Sequence, residues 1–107
     1  MKIYLAVPYT HISPFVRERR FEMVNYKAAE LMKEGHIVFS PISHSHPIAV
    51  QENLPLTAEF WKQMNESFLA WCDSVYVYRL AGWQGSKGIQ SEIEYAIKTG
   101  KPVIYID

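Results

Sequence analysis

The sequence has a single cysteine, no excess of either charge and no long apolar run. Because Cys72 cannot form a disulfide within the chain, we expect a reducing compartment, the cytoplasm. The 11 Lys and Arg residues balance the 11 Asp and Glu residues, which argues against nucleic acid or an anionic membrane as the main partner. No segment approaches the ~18 consecutive apolar residues of a membrane-spanning helix. We therefore expect a cytoplasmic protein that binds neither nucleic acid nor a membrane.

The composition is sufficient for one folded domain over residues 1–107. Hydrophobic residues make up 49% of the chain and aromatic residues 14%, enough for a sizeable core. A short, neutral chain with this aromatic content often covers apolar surface by association. The last apolar run also ends at Asp107, with no further element to cover it. We therefore expect a homo-oligomer, a dimer or larger.

Short apolar runs alternate with helical patterns along the chain. Continuous apolar runs predict buried strands, and apolar residues three and four apart predict helices. The predicted strands are 3–7, 36–41, 74–80 and 102–106, and the predicted helices are 14–34, 57–71 and 86–99. Residues 42–56 have no periodicity and are predicted to form a loop.

Strands that alternate with helices predict an α/β fold with a parallel sheet and right-handed crossovers. We predict a three-layer α/β/α domain of the Rossmann or flavodoxin-like type, with about four strands in the order 2-1-3-4. Ligands of such sheets bind beyond the carboxyl ends of the strands. The predicted binding segments are therefore 8–13, 40–46 and 81–88.

Glu92 is the first candidate for chemistry. In the last predicted helix, the apolar face is marked by Ile89, Ile93, Ala96 and Ile97. Glu92 lies about 40° from Ala96, at the edge of this face, whereas Glu94 lies on the solvent side. A carboxylate there can reach a cleft, or it can pair with a lysine in a purely structural role.

The segment before this helix favours an oxygen-rich ligand. Gly85, Ser86 and Gly88 expose backbone N–H groups at a helix N-terminus, which suits a phosphate or a sugar hydroxyl. The order of residues does not match a Walker loop. Trp83 lies in the same segment and can stack on a base. Glycine with a capping serine is also common in loops without a ligand.

Two basic groups give weaker indications. Arg17 and Arg20 begin the first predicted helix, where a guanidinium can meet an anion or pack its stem on the core. His44 and His46 are two residues apart, with no third ligand at a suitable spacing, so we predict no metal site. Cys72 is predicted to be a packed thiol.

The chain resembles the nucleoside 2-deoxyribosyltransferase superfamily, and within it a branch of small bacterial and phage domains. The matching segments are 4–10, 17–21, 35–42, 44–47, 72–73, 82–83 and 100–103, together with Ser86, Gly88, Glu92 and Ala96. They extend almost from one end of the chain to the other. The last four residues reproduce a Ser-x-Gly-x-x-x-Glu-x-x-x-Ala segment that carries the catalytic glutamate of the superfamily.

The resemblance implies chemistry at an N-glycosidic bond. Glu92 would attack the anomeric carbon of a 2′-deoxynucleoside or deoxynucleotide, and a second base or water would resolve the deoxyribosyl-enzyme, without a cofactor or metal. Ser86, Gly88 and Arg17 would hold the sugar 5′ end or its phosphate. Tyr9 and Trp83 would flank the base, and His44 would also contact the substrate. In the superfamily a neighbouring subunit contributes to the pocket, which again implies a homodimer.

One position departs from the family pattern. The family has an aspartate eight residues before the one that opens the third strand, here Asp73, and it assists departure of the base. This chain has Asn65 there, and an amide cannot act as an acid or base at neutral pH. Three hypotheses stay open: an N-glycosidase or deoxyribosyltransferase, a nucleotide-binding module without turnover, and an enzyme whose leaving base needs no acid.

Overall fold

A computed structural model describes all of residues 1–107 and has four strands and four helices. The strands are β1 (Lys2–Ala6), β2 (Ile37–Phe39), β3 (Ser74–Tyr78) and β4 (Val103–Ile106). The helices are α1 (Pro14–Lys33), α2 (Pro41–Glu52), α3 (Ala58–Trp71) and α4 (Lys87–Lys98), and a 3₁₀ turn covers Trp83–Gly85. All strand pairs are parallel and their order is β2-β1-β3-β4, which confirms the predicted fold and strand order.

The central strand β1 is apolar on both faces because helices cover both faces. Ile3 and Leu5 pack with α1, through Val24 among others, in one core cluster. Tyr4 and Ala6 point to the other face and pack with residues of α3 and α4 in the second cluster. One cluster lies on each face of the sheet, between the sheet and the helices. The domain therefore has the three layers that the alternating pattern predicted.

The sheet places a crevice between β1 and β3. After β1 the chain runs through α1 to β2 at one edge, and it then crosses to β3 on the other side of β1. In such a sheet the connections diverge at this point and leave space at the carboxyl ends of the strands. The segments after β1 and after β3 therefore face one another across this space.

The prediction of a loop over 42–56 was wrong for most of its length, because α2 occupies Pro41–Glu52. Ser40 is the N-cap of this helix, and its hydroxyl accepts a hydrogen bond from the backbone N–H of Ser43 at 3.2 Å. Pro41 takes the first helical position, where its missing N–H costs nothing. Pro47 lies inside the helix, and this proline hid the pattern because prolines usually end helices.

Two large apolar residues of the helices are exposed. Phe60 of α3 is half exposed and packs its ring edge-on against Trp61, at 4.9 Å between centroids. Ile97 lies in the last turn of α4 and is also exposed. Leu69 is the fully buried residue of α3, and Phe68 beside it is only partly buried. The face of α3 that packs on the core is therefore centred near Leu69.

None of the helices combines the length and the apolar character needed to cross a membrane.

Candidate active site

A cavity of about 610 Å³ lies at the carboxyl ends of β1 and β3, bounded by α2, α3 and the start of α4. Five of the predicted site residues line it: Tyr9, Asn65, Ser86, Gly88 and Glu92. They come from three separate parts of the chain, and the sheet order brings them together. The cavity is therefore at the place where ligands of this fold class bind.

Glu92 forms a buried part of the cavity wall and is only 8% exposed. One carboxylate oxygen, Oε2, accepts a hydrogen bond from the hydroxyl of Tyr4, and no protein group bonds Oε1. Burial raises the pKa of Glu92 to about 7, and the hydrogen bond from Tyr4 acts in the opposite direction. Glu92 is thus a carboxyl group that changes charge near neutral pH, with one oxygen available to a ligand.

Tyr4 was not among the predicted site residues. It lies in the middle of β1 on the face that α3 and α4 cover, and it is fully buried. Burial, followed by the nearby Glu92, holds the pKa of Tyr4 well above its ordinary value, so its hydroxyl stays protonated and donates. One signal was available in the sequence, because Tyr4 is the single hydroxyl-bearing residue in the run 3–7.

The start of α4 presents its first turn to the cavity. Ser86 is the N-cap, and its hydroxyl oxygen accepts from the backbone N–H of Ile89 at 3.3 Å. Lys87 and Gly88 line the cavity beside it. A Cβ at Gly88 would lie 3.8 Å from the Ser86 hydroxyl, an ordinary contact, so the protein itself does not require glycine there. The open space at this turn suits an oxygen-rich ligand.

Asn65 lines the same cavity from α3. Its Oδ1 atom is buried and has no hydrogen-bond partner within the protein. A buried amide oxygen without a partner is unfavourable by about 1–3 kcal/mol. An N–H donor on a ligand would satisfy this oxygen.

A second group of hydrogen-bonded side chains at the cavity is centred on His46, which the sequence suggested only as a metal ligand. His46 lies on α2 and is 5% exposed. Its Nδ1 atom is 2.5 Å from the Tyr9 hydroxyl, and its Nε2 atom is 2.6 Å from Oε2 of Glu18. Its ring also packs on Phe21 of α1, at 4.5 Å between centroids. The sequence did not reveal these hydrogen bonds, because the segment that forms α2 was predicted to be a loop.

Arg20 joins the two loops that form the rim of the crevice. Its guanidinium donates to the carbonyl oxygens of Tyr9 and Thr10, both at 3.3 Å, and to that of Ala81 at 3.0 Å. Gly82 has a φ of +90°, and a Cβ there would lie 3.1 Å from Arg20. Arg20 therefore positions backbone rather than an anion, and burial lowers its pKa.

Three predicted substrate-binding residues do not line the cavity. Arg17 donates to the backbone carbonyls of His11 and Ile12 and so holds its own loop. His44 is exposed, on a different side of α2 from His46. Trp83 packs against the core cluster under α4, 5.6 Å from the ring of Tyr105.

No group of three or more His, Cys, Asp or Glu side chains is arranged to hold a metal ion. The polar side chains that line the cavity include two carboxyl groups, of Glu59 and Glu92, together with hydroxyl groups, an amide, an imidazole and the amine of Lys87. Together they can offer a nucleophile, hydrogen-bond donors and acceptors, and a group that transfers protons.

Comparisons with known proteins include a solved structure that is similar to this one. A 2-deoxyribosyltransferase from the psychrotolerant bacterium Bacillus psychrosaccharolyticus has a similar structure, with a TM-score of 0.65 and 25% sequence identity. The similarity covers 98% of this chain and 71% of that one, and that enzyme is described as a biocatalyst for the synthesis of antiviral and antitumoral nucleosides. It supports the predicted relation to the nucleoside 2-deoxyribosyltransferase superfamily.

The curated proteins gave no match to this chain. The model of one protein family, described as a domain of unknown function (DUF1937), matches residues 1–107. The match covers the chain from end to end, and the protein therefore belongs to the DUF1937 family.

Proposed function

We propose that the protein cleaves the N-glycosidic bond of a 2′-deoxynucleoside or deoxynucleotide and transfers the deoxyribosyl group to water or to a second base. Glu92 is the nucleophile in this proposal. The observation that carries it is the buried carboxyl group of Glu92, held by Tyr4 at one oxygen and open to the cavity at the other. The structural similarity to a 2-deoxyribosyltransferase supports the same reaction.

The position of Glu92 fits nucleophilic attack on an anomeric carbon. Attack by a carboxylate gives a covalent glycosyl-enzyme and passes through an oxocarbenium-like transition state. The hydrogen bond from Tyr4 fixes Oε2, so that the lone pairs of Oε1 face the substrate. Because burial raises the pKa of Glu92 to about 7, the carboxylate is weakly solvated and reactive once it is ionised.

The first turn of α4 is the proposed binding site for the sugar. The Ser86 hydroxyl and the N–H groups of Lys87 and Gly88 can bind a 5′-hydroxyl or a 5′-phosphate. Glu92 lies one turn further along this helix from Gly88. One helix would therefore hold the sugar and also attack it.

Asn65 is the proposed contact for the base. Its unpartnered Oδ1 accepts from an N–H group, such as an exocyclic amine or a ring N–H of a nucleobase. Tyr9 lines the cavity as well and would contact the base.

The test is release of base from a panel of 2′-deoxynucleosides and their 5′-monophosphates, with and without a second base as acceptor. Glu92→Gln keeps the shape and the bond from Tyr4 but removes the attacking charge, so turnover should fall at least ~100-fold. Glu94→Gln, on the exposed side of the same helix, is the matched control and should retain turnover. Mass spectrometry of the quenched protein should detect a deoxyribosyl adduct that Glu92→Gln lacks. Equal turnover by the two variants would refute the role of Glu92.

A non-catalytic nucleotide-binding module is the second candidate function, and Asn65 is the observation that favours it. An amide at this place binds a base but cannot protonate it. Calorimetric binding of the same panel without release of base, in the wild-type protein, would establish this alternative.

Three narrower statements stay predictions from the sequence. They are the assignment to a bacterial and phage branch, the cytoplasmic location and the homo-oligomeric state.

A further inference from the structure

The polar chain Tyr9–His46–Glu18, here called the relay, has a direction. Tyr9 and His46 line the cavity, whereas Glu18 does not, and the Glu18 side chain is 56% exposed to solvent. The relay therefore joins the interior of the cavity to the protein surface through a single imidazole ring. Its members come from the loop after β1, from α2 and from α1.

We propose that this relay is the general acid of the reaction and delivers a proton to the departing base through the Tyr9 hydroxyl. The proposal rests on the proposed function, because it concerns the same bond. It assigns a catalytic role to Tyr9 and His46, and it makes Glu18 a positioning residue that stabilises the charged imidazole. It also supplies a proton in a cavity where Asn65, an amide, cannot do so.

The geometry permits both protonation states that such a relay needs. With a neutral imidazole, the Tyr9 hydroxyl donates to Nδ1 and the Nε2–H group of His46 donates to Glu18. With an imidazolium, the Nδ1–H group donates to the Tyr9 oxygen, and the Tyr9 O–H bond is then free to point into the cavity. The same heavy-atom positions are compatible with both states, so proton transfer requires only rotation of the Tyr9 O–H bond.

The surroundings favour Tyr9 as a carrier of the proton rather than as its source. Burial raises the pKa of Tyr9, so the phenol does not itself become an anion during the reaction. The charge that changes is on His46, whose Nε2 atom lies 2.6 Å from a carboxylate. A carboxylate at this distance stabilises an imidazolium and fixes the orientation of the ring.

The first half-reaction balances as follows. Oε1 of Glu92 forms a bond to the anomeric carbon, and the bond from that carbon to the base nitrogen breaks with its electron pair on the base. The base takes the hydroxyl proton of Tyr9, the Tyr9 oxygen takes the Nδ1 proton of the imidazolium, and His46 becomes neutral. In the second half, water or a second base attacks the anomeric carbon, its proton returns through Tyr9 to His46, and the carboxylate of Glu92 is released.

The experiment pairs each substrate whose base needs a proton to leave with a partner substrate whose base leaves without one. 2′-Deoxyguanosine needs protonation of its base, whereas 7-methyl-2′-deoxyguanosine already carries a positive charge on its base and leaves without a proton. For pyrimidines, 2′-deoxyuridine is compared with its 5-nitro derivative, whose base leaves readily as an anion. Each is supplied as the nucleoside and as the 5′-monophosphate, and base release is followed by chromatography.

Tyr9→Phe should lower release from the substrates with poor leaving groups about 100-fold and release from their partners less than about 5-fold. Tyr26→Phe removes an exposed hydroxyl from α1, far along the helix from Glu18, and should leave both rates unchanged. Glu18→Gln tests the surface end of the relay by changing an exposed side chain, and should reproduce the same selective loss at smaller size. His46→Gln, with His36→Gln as control, completes the series.

The outcomes separate the two proposals. A selective loss in Tyr9→Phe and Glu18→Gln supports the relay. Equal losses on both members of a substrate pair, with an active wild-type protein, overturn the relay and leave the role of Glu92 standing. No turnover of any substrate by the wild-type protein overturns the proposed function, and the relay with it. If His46→Gln fails to fold, Tyr9→Phe and Glu18→Gln are sufficient to decide between these outcomes.

Discussion

Two groups of side chains next to the cavity each combine a tyrosine with a glutamate, and the two arrangements differ in burial. In the first, Tyr4 donates directly to Glu92, and both side chains are buried. In the relay, His46 stands between Tyr9 and Glu18, and the carboxylate is exposed. Burial raises the pKa of Glu92 to about 7, whereas Glu18 keeps its contact with water. The same residue types thus offer a reactive carboxylate in one place and a path for protons in the other.

The difference shows that burial and connectivity, rather than residue type, determine the chemistry. A buried carboxylate with a single donor gains little stabilisation of its charge, which favours nucleophilic attack. An exposed carboxylate that is hydrogen-bonded to an imidazole is a weak nucleophile, but it stabilises the positive charge of the protonated ring.

The largest expected effect is on stability. The pKa of Glu92 is raised from its ordinary 4.5 to about 7 in the folded protein, so between these values the folded state holds a proton that the unfolded chain has lost. The free energy of unfolding should therefore fall as the pH rises through this interval, by up to about 3 kcal/mol, and change no further above it. Glu92→Gln should remove this loss, so that the variant is the more stable protein at pH 8.

Urea unfolding at pH values from 4 to 8 checks this prediction, as the difference between wild-type protein and Glu92→Gln. Glu94→Gln is the control, because an exposed carboxylate contributes little at any pH. A wild-type curve parallel to that of Glu92→Gln over this range would show that the pKa of Glu92 is not raised.

The next prediction sets the relay against Asn65. If the amide alone limits departure of the base, Asn65→Asp should raise release from poor leaving groups about 100-fold in the wild-type protein. If the relay already supplies the proton, the gain should be under about 10-fold there, and about 100-fold in the Tyr9→Phe background, where the new carboxyl group replaces the relay.

A double-mutant cycle of Tyr9→Phe and Asn65→Asp, measured on 2′-deoxyguanosine and 7-methyl-2′-deoxyguanosine, gives the answer. Asn65→Gln is the control because it keeps an amide. Equal gains from Asn65→Asp in both backgrounds would mean that the two positions act independently, and the relay would then not be the acid.

The sequence was sufficient for the strands and their order because those signals are local, although the helix α2 was missed. Continuous apolar runs identify the strands, and their alternation with helices leaves few topologies. Glu92 was also predictable, since its place relative to Ala96 and the glycines before it depends on one helix alone. The outcome for Glu92 is a matter of position only, and its catalytic role stays a prediction.

The rest depended on contacts between distant segments. Glu18 and His46 are 28 residues apart, and His46 and Tyr9 are 37 apart, so no local pattern links them. The pairing of Tyr4 with Glu92 spans 88 residues. The prediction for Arg17 depended on the direction of its side chain. A guanidinium at a helix start can reach either an anion or the backbone before the helix, and Arg17 donates to the backbone.

Tyr4→Phe should change the pH dependence of the reaction. Glu92 attacks only when ionised, so kcat/KM on a substrate whose base leaves without a proton should rise with pH through about 7 in the wild-type protein. The bond from Tyr4 lowers the pKa of Glu92, so its loss should move the rise to higher pH and reduce the rate at pH 7 about 10-fold. Tyr105→Phe, at an exposed position of β4, is the control for loss of a phenol. An unshifted profile in Tyr4→Phe would mean that Glu92 is not the group that titrates.

The smallest expected effect concerns the first turn of α4. A methyl group at position 88 meets only the Ser86 hydroxyl, at 3.8 Å, and φ is not positive there, so Gly88→Ala should fold normally and even gain some helix stability. If the sugar or its phosphate approaches this backbone, however, the methyl group occupies the space that the ligand needs. KM should then rise about 5-fold while kcat stays within about 2-fold, which corresponds to about 1 kcal/mol of lost binding.

Ser91→Ala, at an exposed position of the same helix, also introduces the better helix former and is the matched control for a gain in helix stability. Steady-state kinetics with nucleoside and 5′-monophosphate substrates would separate the two candidate ligands, because a phosphate is larger and should suffer the greater rise in KM. Unchanged KM for both would place the sugar elsewhere in the cavity and leave Glu92 as the one functional residue on α4.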